Sequence, residues 1–188
     1  MWRVRELVNK VPGRYVLLPG GGVGGHCIPK DSWLLAAPLG EVAESSLLGI
    51  ARRINDGMPE HVAGLVGQLA ASPAKVAVLG FAYLENSDDT RNSPSAALIE
   101  VLKKRGYEVR VHDPFVHEYA GDVMEALRGA ACAVLMVAHS AYRELDLSAA
   151  ASAMERPQLV DARGLYKAES LKAAGFTYRT IGVGARKD

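Results

Sequence analysis

Lys75-Val76-Ala77-Val78-Leu79-Gly80-Phe81-Ala82 is the stretch on which the fold turns. An apolar run of this length, ended by glycine, reads as a buried strand over 76–81. Downstream the pattern alternates: a helix near 95–105, a strand over 108–112, a helix around 122–128 and a strand over 133–137. A strand over 159–161, a helix over 169–174 and a terminal strand over 177–181 complete it. Strands separated by helical segments predict an α/β fold, a Rossmann-like parallel sheet with helices on both faces. Ligands of such sheets sit at the carboxyl ends of the strands. Here those ends are 80–91, His112-Asp113-Pro114, His139-Ser140 and Asp161-Ala162-Arg163.

Upstream, Ser72-Pro73 marks the expected domain boundary, dividing the chain into 1–72 and 73–188. Before it, Val42, Leu47, Ile50, Ile54, Met58, Val62, Leu65, Val66 and Leu69 recur at helical spacing. This predicts a long central helix over 41–71, kinked or divided by Gly57 and Pro59. It either packs on a second copy of itself, making a homodimer, or is an ordinary core helix. Further upstream, Trp2, Val4, Leu7 and Val8 read as the tail of an amphipathic helix cut at its beginning, so Met1 is expected to open a piece of a longer protein.

The chemistry concentrates in Pro19-Gly20-Gly21-Gly22-Val23-Gly24-Gly25-His26-Cys27-Ile28-Pro29-Lys30-Asp31. Glycines let a backbone close on a ligand and offer convergent amide donors. Pro29 suits a first helical turn, so a helix is expected to start near Cys27, break at Leu39-Gly40, and favour thiolate at its N-terminus. Cys27 then reads as a nucleophile, with a buried structural thiol as the alternative. Asp31, four residues on, shares a helical face with it and either relays protons or caps the helix.

Gly20, Gly22 and Gly25 also satisfy G-x-G-x-x-G, but a dinucleotide fingerprint must follow a core strand inside a βαβ unit. This one does not, and the strand at 76–81 leads into Tyr83-Leu84-Glu85 with no glycine-rich turn. Cys132, in an apolar run, reads as core. The spacing of His26, His112, His117 and His139 fits no common zinc pattern. Asp88-Asp89 with Arg91 reads as a cation site or as a loop fixed by an internal ion pair. Asp113-Pro114 reads as a structural strand-end turn.

Across 188 residues, 22 Lys and Arg balance 21 Asp and Glu, which offers no general attraction to nucleic acid or anionic lipid. No apolar stretch approaches the ~18 residues of a membrane span. Two cysteines far apart suit a reducing, cytoplasmic compartment.

Four blocks together resemble the UDP-glucose/GDP-mannose dehydrogenase family of nucleotide-sugar 6-dehydrogenases. They are GVGGHCIPKD (22–31), ARRINDGMP (51–59), LGFAYLENSDDTRNSP (79–94) and GYEVRVHDP (106–114), with a looser fifth, LVDARGLY (159–166). The His26-Cys27-Ile28-Pro29 wording is closer to members acting on UDP-N-acetylhexosamines. The resemblance covers the family's central and C-terminal UDP-binding parts only. The NAD-binding domain, with its fingerprint, general-base Glu and oxyanion-stabilising Lys, has no counterpart, so the chain is not expected to turn over alone.

The resemblance implies two NAD-dependent oxidations of a UDP-(N-acetyl)hexosamine to its uronate through a Cys27 thioester, with Asp31 the second catalytic residue. It assigns Gly20, Gly21, Gly22, Val23 and Gly24 to a loop around sugar and phosphate. Arg14 would reach the sugar across the dimer, and Tyr83, Leu84 and Arg163 would contact the nucleotide. Lys30 and Arg91 would face the cofactor. Leu84 stands where the family usually has a UDP-contacting Lys, a charge that Lys30 or Arg163 would have to replace. The alternative is a non-catalytic UDP-sugar-binding and dimerisation module.

Overall fold

The computed structural model describes residues 2–14 and 16–182; Met1, and with it the reading of its start, lies outside them. Helices α1 (Trp2–Val8) and α2 (Cys27–Ala36) are followed by a 3-10 turn (Ala37–Val42), then α3 (Leu47–Asp56) and α4 (Met58–Leu69). Next come β1 (Lys75–Leu79), α5 (Pro94–Lys104), β2 (Glu108–His112), α6 (Val123–Leu127) and β3 (Cys132–Leu135). The chain continues through α7 (Ser140–Arg143), α8 (Leu147–Ala153), β4 (Gln158–Asp161), α9 (Ala168–Ala173) and β5 (Thr177–Thr180).

The five strands among the described residues are all parallel, in the order β2-β1-β3-β4-β5. Their side-chain alternation sorts the core. Val76, Val78, Cys132, Val134 and Val160 face one side with Val62 and Val66 of α4 and Leu98 and Leu102 of α5. Ala77, Leu79, Ala133, Leu135 and Leu159 face the other with Leu127 of α6, Tyr142 of α7, Ala150 of α8 and Leu171 of α9. Period-two strands with apolar residues at both phases can be buried only between two helical layers.

From β1 the sheet is built outward to β2 on one side and to β3, β4 and β5 on the other. In a sheet of this order the switch point lies between β1 and β3, where diverging loops open a crevice for ligands.

Residues 41–71 differ from the expected helix at their start. Gly40 sits at φ +55, and Ser46 caps the next helix, its hydroxyl accepting from the Gly49 N–H at 3.2 Å. Helix therefore begins at Leu47. The axis turns by 117° between Cys27–Val42 and Leu47–Leu69. The division at Gly57 is where expected, with Pro59 in the first turn of α4.

The two halves part company in their packing. Val62, Ala63 and Val66 of α4 are fully buried on this chain's own sheet, so α4 is a core helix of the α/β layer. Cutting the chain at 72/73 would separate it from the strands it covers. α3 keeps Leu47, Ile50 and Ile54 exposed. α7 and α8 were not expected from the sequence.

Candidate functional site

The glycine segment lies across the carboxyl ends of the strands. Gly20 lies against Arg163 and Gly21 against Met136, beyond β4 and β3 respectively. The segment then reaches the loop after β1, where the Gly25 N–H donates to the Arg91 carbonyl at 2.8 Å and Asn92 Nδ2 donates to the Gly25 carbonyl at 2.9 Å. A Cβ on Gly24 would stand 2.5 Å from the Asn92 carbonyl oxygen, and one on Gly25 (φ +83) 2.7 Å from the Tyr83 ring. Only glycine permits this approach.

Two asparagines hold the segment from outside. Asn9 Oδ1 accepts from the Val16 N–H at 2.6 Å, and Asn9 Nδ2 donates to the Val16 carbonyl at 3.2 Å. Asn55, at the end of α3, treats Val23 the same way, at 2.8 and 3.2 Å. Sequence reading assigned neither asparagine a role, although Asn55 lies inside the ARRINDGMP block. An amide that binds backbone 32 residues away leaves no local pattern.

The segment delivers Cys27 as the first residue of α2, exposed. Its Sγ lies 3.6 Å from His26 Nδ1. One turn on, Lys30 Nζ and the Asp31 carboxylate pair at 3.4 Å. Arg91 grips Asp89 through Nε and Nη2, at 3.0 and 2.6 Å. This hydrogen-bonded pairing lowers the Asp89 carboxyl and raises the Arg91 guanidinium. The 88–91 loop thus has the internal ion pair that was one of its two readings. Cys132 is buried in β3, and burial pushes its thiol up to about 12. Among the described residues no group of His, Cys, Asp and Glu is placed to hold a metal ion.

An open cleft of ≈ 420 Å³ flanks the segment, lined by Val23, Lys30, Arg52, Asn55, Asn92 and Pro94 among others. Arg52 is nearly buried there, its guanidinium paired with Asp56. On the other side, Arg163 donates to Glu85 Oε1 at 3.3 Å, and the buried Asp161 carboxylate accepts from the backbone N–H groups of Arg163 and Tyr166. Burial pushes the Asp161 carboxyl up despite these bonds. Tyr83 is half-buried under Gly25, Leu84 is exposed, and Arg14 occupies the exposed turn after α1. Of the two cations that could replace a lysine at Leu84, Arg163 stands at the strand ends under Gly20, whereas Lys30 faces Asp31 and the cleft.

Beneath the 81–92 loop lies a closed polar network. The Asp113 carboxylate, fully buried, accepts from the Phe81, Ala82 and Phe115 N–H groups and from His139 Nε2 at 3.0 Å. Burial pushes its carboxyl up, but His139 and the backbone donors outweigh this and hold it well below the usual carboxylate range. His139 Nδ1 accepts from the Asn86 N–H at 2.9 Å, and Asn86 Oδ1 accepts from Ser140. This arrangement assigns the imidazole's proton to Nε2.

The network also bears on dinucleotide binding. A Rossmann cradle needs a glycine turn after the first strand and a carboxylate after the second that is free for ribose. Here, among the described residues, Gly20–Gly25 follow no strand, β1 runs into Phe81-Ala82, and the carboxylate after β2 is Asp113, already saturated. The described residues do not fit a dinucleotide in that manner.

The family model for the UDP binding domain of the UDP-glucose/GDP-mannose dehydrogenase family matches residues 77–168, and that for the same family's central domain matches residues 1–57. A UDP-N-acetyl-D-mannosamine dehydrogenase of Pyrococcus horikoshii is 36% identical over 185 residues, covering 95% of this chain and 43% of that protein. The solved structure of UDP-D-ManNAc dehydrogenase from P. horikoshii superposes with a TM-score of 0.83 at 34% identity, over 96% of this chain and 44% of that one. NDP-N-acetyl-D-galactosaminuronic acid dehydrogenase from Methanosarcina mazei gives a TM-score of 0.83 at 32% identity, over 96% and 43%. The chain spans less than half the length of these relatives.

Proposed function

The chain belongs to the UDP-glucose/GDP-mannose dehydrogenase family, and from that premise we propose that it is the thiol-bearing, UDP-sugar-binding part of an NAD-dependent nucleotide-sugar 6-dehydrogenase, acting on a UDP-N-acetylhexosamine. One observation carries the proposal: a glycine segment laid across the ligand edge of the sheet presents an exposed cysteine at a helix start. Such a segment can wrap a nucleotide sugar while its last residue meets C6.

In this reading the amides of Gly20–Gly24 and the Arg163 guanidinium hold phosphate and sugar, with Tyr83 and Leu84 against the nucleotide. Cys27 adds to the C6 aldehyde, carries the acyl group as a thioester, and leaves on hydrolysis to the uronate. Asp31 positions the water. Members of the family use NAD, which accepts hydride when bound. The described residues give it no cradle, and only Lys30 and Arg91 are assigned to its edge. Arg14 is assigned to the sugar of a partner copy, and the two free cysteines suit a reducing cytoplasm.

The test is uronate release from UDP-N-acetylhexosamine and NAD by the chain joined to the NAD-binding domain of a family member, alongside calorimetry with the same sugar nucleotide. Cys27→Ser is expected to abolish release and leave affinity within about twofold. Uronate formed at the wild-type rate by the serine variant would refute the proposal.

A second reading, a UDP-sugar-binding and dimerisation module without turnover, draws on the saturated Asp113 carboxylate and the lack of a glycine turn after β1, which leave this sheet no dinucleotide cradle of its own. Sugar-nucleotide binding without uronate release, with that NAD-binding domain present, would select it, and absence of binding would sink both.

A further inference from the structure

We propose that His26 is the base that takes the proton of Cys27 when the thiol adds to a carbonyl. The inference rests on the dehydrogenase reading and deepens it by naming a catalytic residue beyond Cys27 and Asp31.

His26 occupies the N-cap of α2, where side chains usually accept from the first free amides of the helix. It makes no such bond. Its imidazole turns to the neighbouring sulfur instead, Nδ1 at 3.6 Å from Sγ. Both side chains are exposed, so burial does not force the pairing.

The surrounding charges suit this transfer. The Asp89 carboxylate is within Coulombic reach of His26, and the Arg91 guanidinium within reach of Cys27. Asp89 and Arg91 are already bonded to each other. A proton passing from Sγ to Nδ1 leaves a thiolate within Coulombic reach of the guanidinium and an imidazolium within reach of the carboxylate, so each charge created is favoured by an opposite one already in place. The other titratable groups around it are Tyr83, within Coulombic reach of Arg91, and Lys30 and Asp31, which pair with each other.

The step balances without an oxidant. The S–H bond breaks and its proton goes to Nδ1. The sulfur's electron pair forms the S–C bond to the aldehyde carbon, and the C=O π pair moves to oxygen. That oxygen takes the proton back from the imidazolium, giving a thiohemiacetal and restoring neutral His26.

Alkylation by iodoacetamide, followed by mass spectrometry on the full chain, isolates this role, because buried Cys132 with its raised thiol stays silent. His26→Gln is expected to slow modification of Cys27 roughly fivefold at pH 7 and to leave it unchanged at pH 10, where thiols ionise without help. Equal rates at pH 7, or equal losses at both pH values, which would report access rather than proton transfer, overturn the proposal. The dehydrogenase reading fails separately, by absence of sugar-nucleotide binding in a chain whose alkylation still depends on His26.

Discussion

Alanine at Gly24 would drive its Cβ into a backbone carbonyl, the Tyr83 Cβ and the Pro94 ring at once, at 2.5, 2.8 and 2.9 Å. A carbonyl cannot rotate away as a flexible side chain can, so the segment must lift from the 81–92 loop. Gly24→Ala is therefore expected to lower sugar-nucleotide affinity at least about tenfold and stability by about 1–3 kcal/mol. Gly64, inside α4 with nothing within 4 Å of its would-be Cβ, is the control. Gly64→Ala should raise stability by about 0.5–1 kcal/mol through helix propensity and leave binding unchanged. Calorimetry and urea unfolding of the two variants read both effects. At this scale the glycine run and Cys27 were legible, because close approach and a helix start write themselves into neighbouring residues. Asn9, Asn55 and His26 were not: an asparagine clamping distant backbone, or a histidine turned toward the next side chain, has the same local sequence as a surface residue.

Among the elements, the 81–92 loop is held less by its own residues than by the ends of its neighbours. Asp113, at the end of β2, accepts from Phe81 and Ala82, and His139, beyond β3, accepts from Asn86. The Asp113 carboxyl is held below its ordinary value, so the unfolded chain takes up its proton first as pH falls. The stability this contributes is whole above the unfolded carboxylate value of about 3.9 and is lost as pH drops toward the folded one. Asp113→Asn removes the charge and turns an amide N–H toward groups that are themselves donors, at an expected cost of about 3 kcal/mol. Urea midpoints between pH 5 and pH 2 should fall steeply in the wild type and more gently in the variant, from a lower start. Parallel wild-type and variant curves would contradict the assignment. The strands were legible because valines at alternate positions can be satisfied only between two layers. α7 and α8 were missed because their alanine- and serine-rich residues give little apolar contrast. The helix start at Leu47 was misplaced by apolar periodicity, although Ser46 carries the cap that sets it.

On the scale of the molecule, the apolar stripe over 41–71 serves two surfaces. Its second half, Val62 to Val66, is covered by this chain's own sheet. Its first half stays bare: Leu47 is 82% exposed and Ile54 65%, with Ile50 between them at helical spacing, and Leu35 on the neighbouring α2 is 70% exposed. Bare apolar side chains grouped on two helices that pack together, α2 and α3, mark an interaction surface. A second copy is the occupant we propose, because a two-fold axis lets the same stripe cover itself. The chain should therefore sediment as a dimer at micromolar concentration. Leu47→Asp with Ile54→Asp places charges where they would be desolvated at that interface, yet both side chains are exposed within the single chain. The double variant should thus be a monomer with an unfolding midpoint close to that of the isolated wild-type protomer and an intact ion pair at Asp89–Arg91. If Arg14 serves the partner's sugar, the monomer should also bind the sugar nucleotide about tenfold more weakly, and wild-type protein found monomeric by light scattering would remove both expectations together.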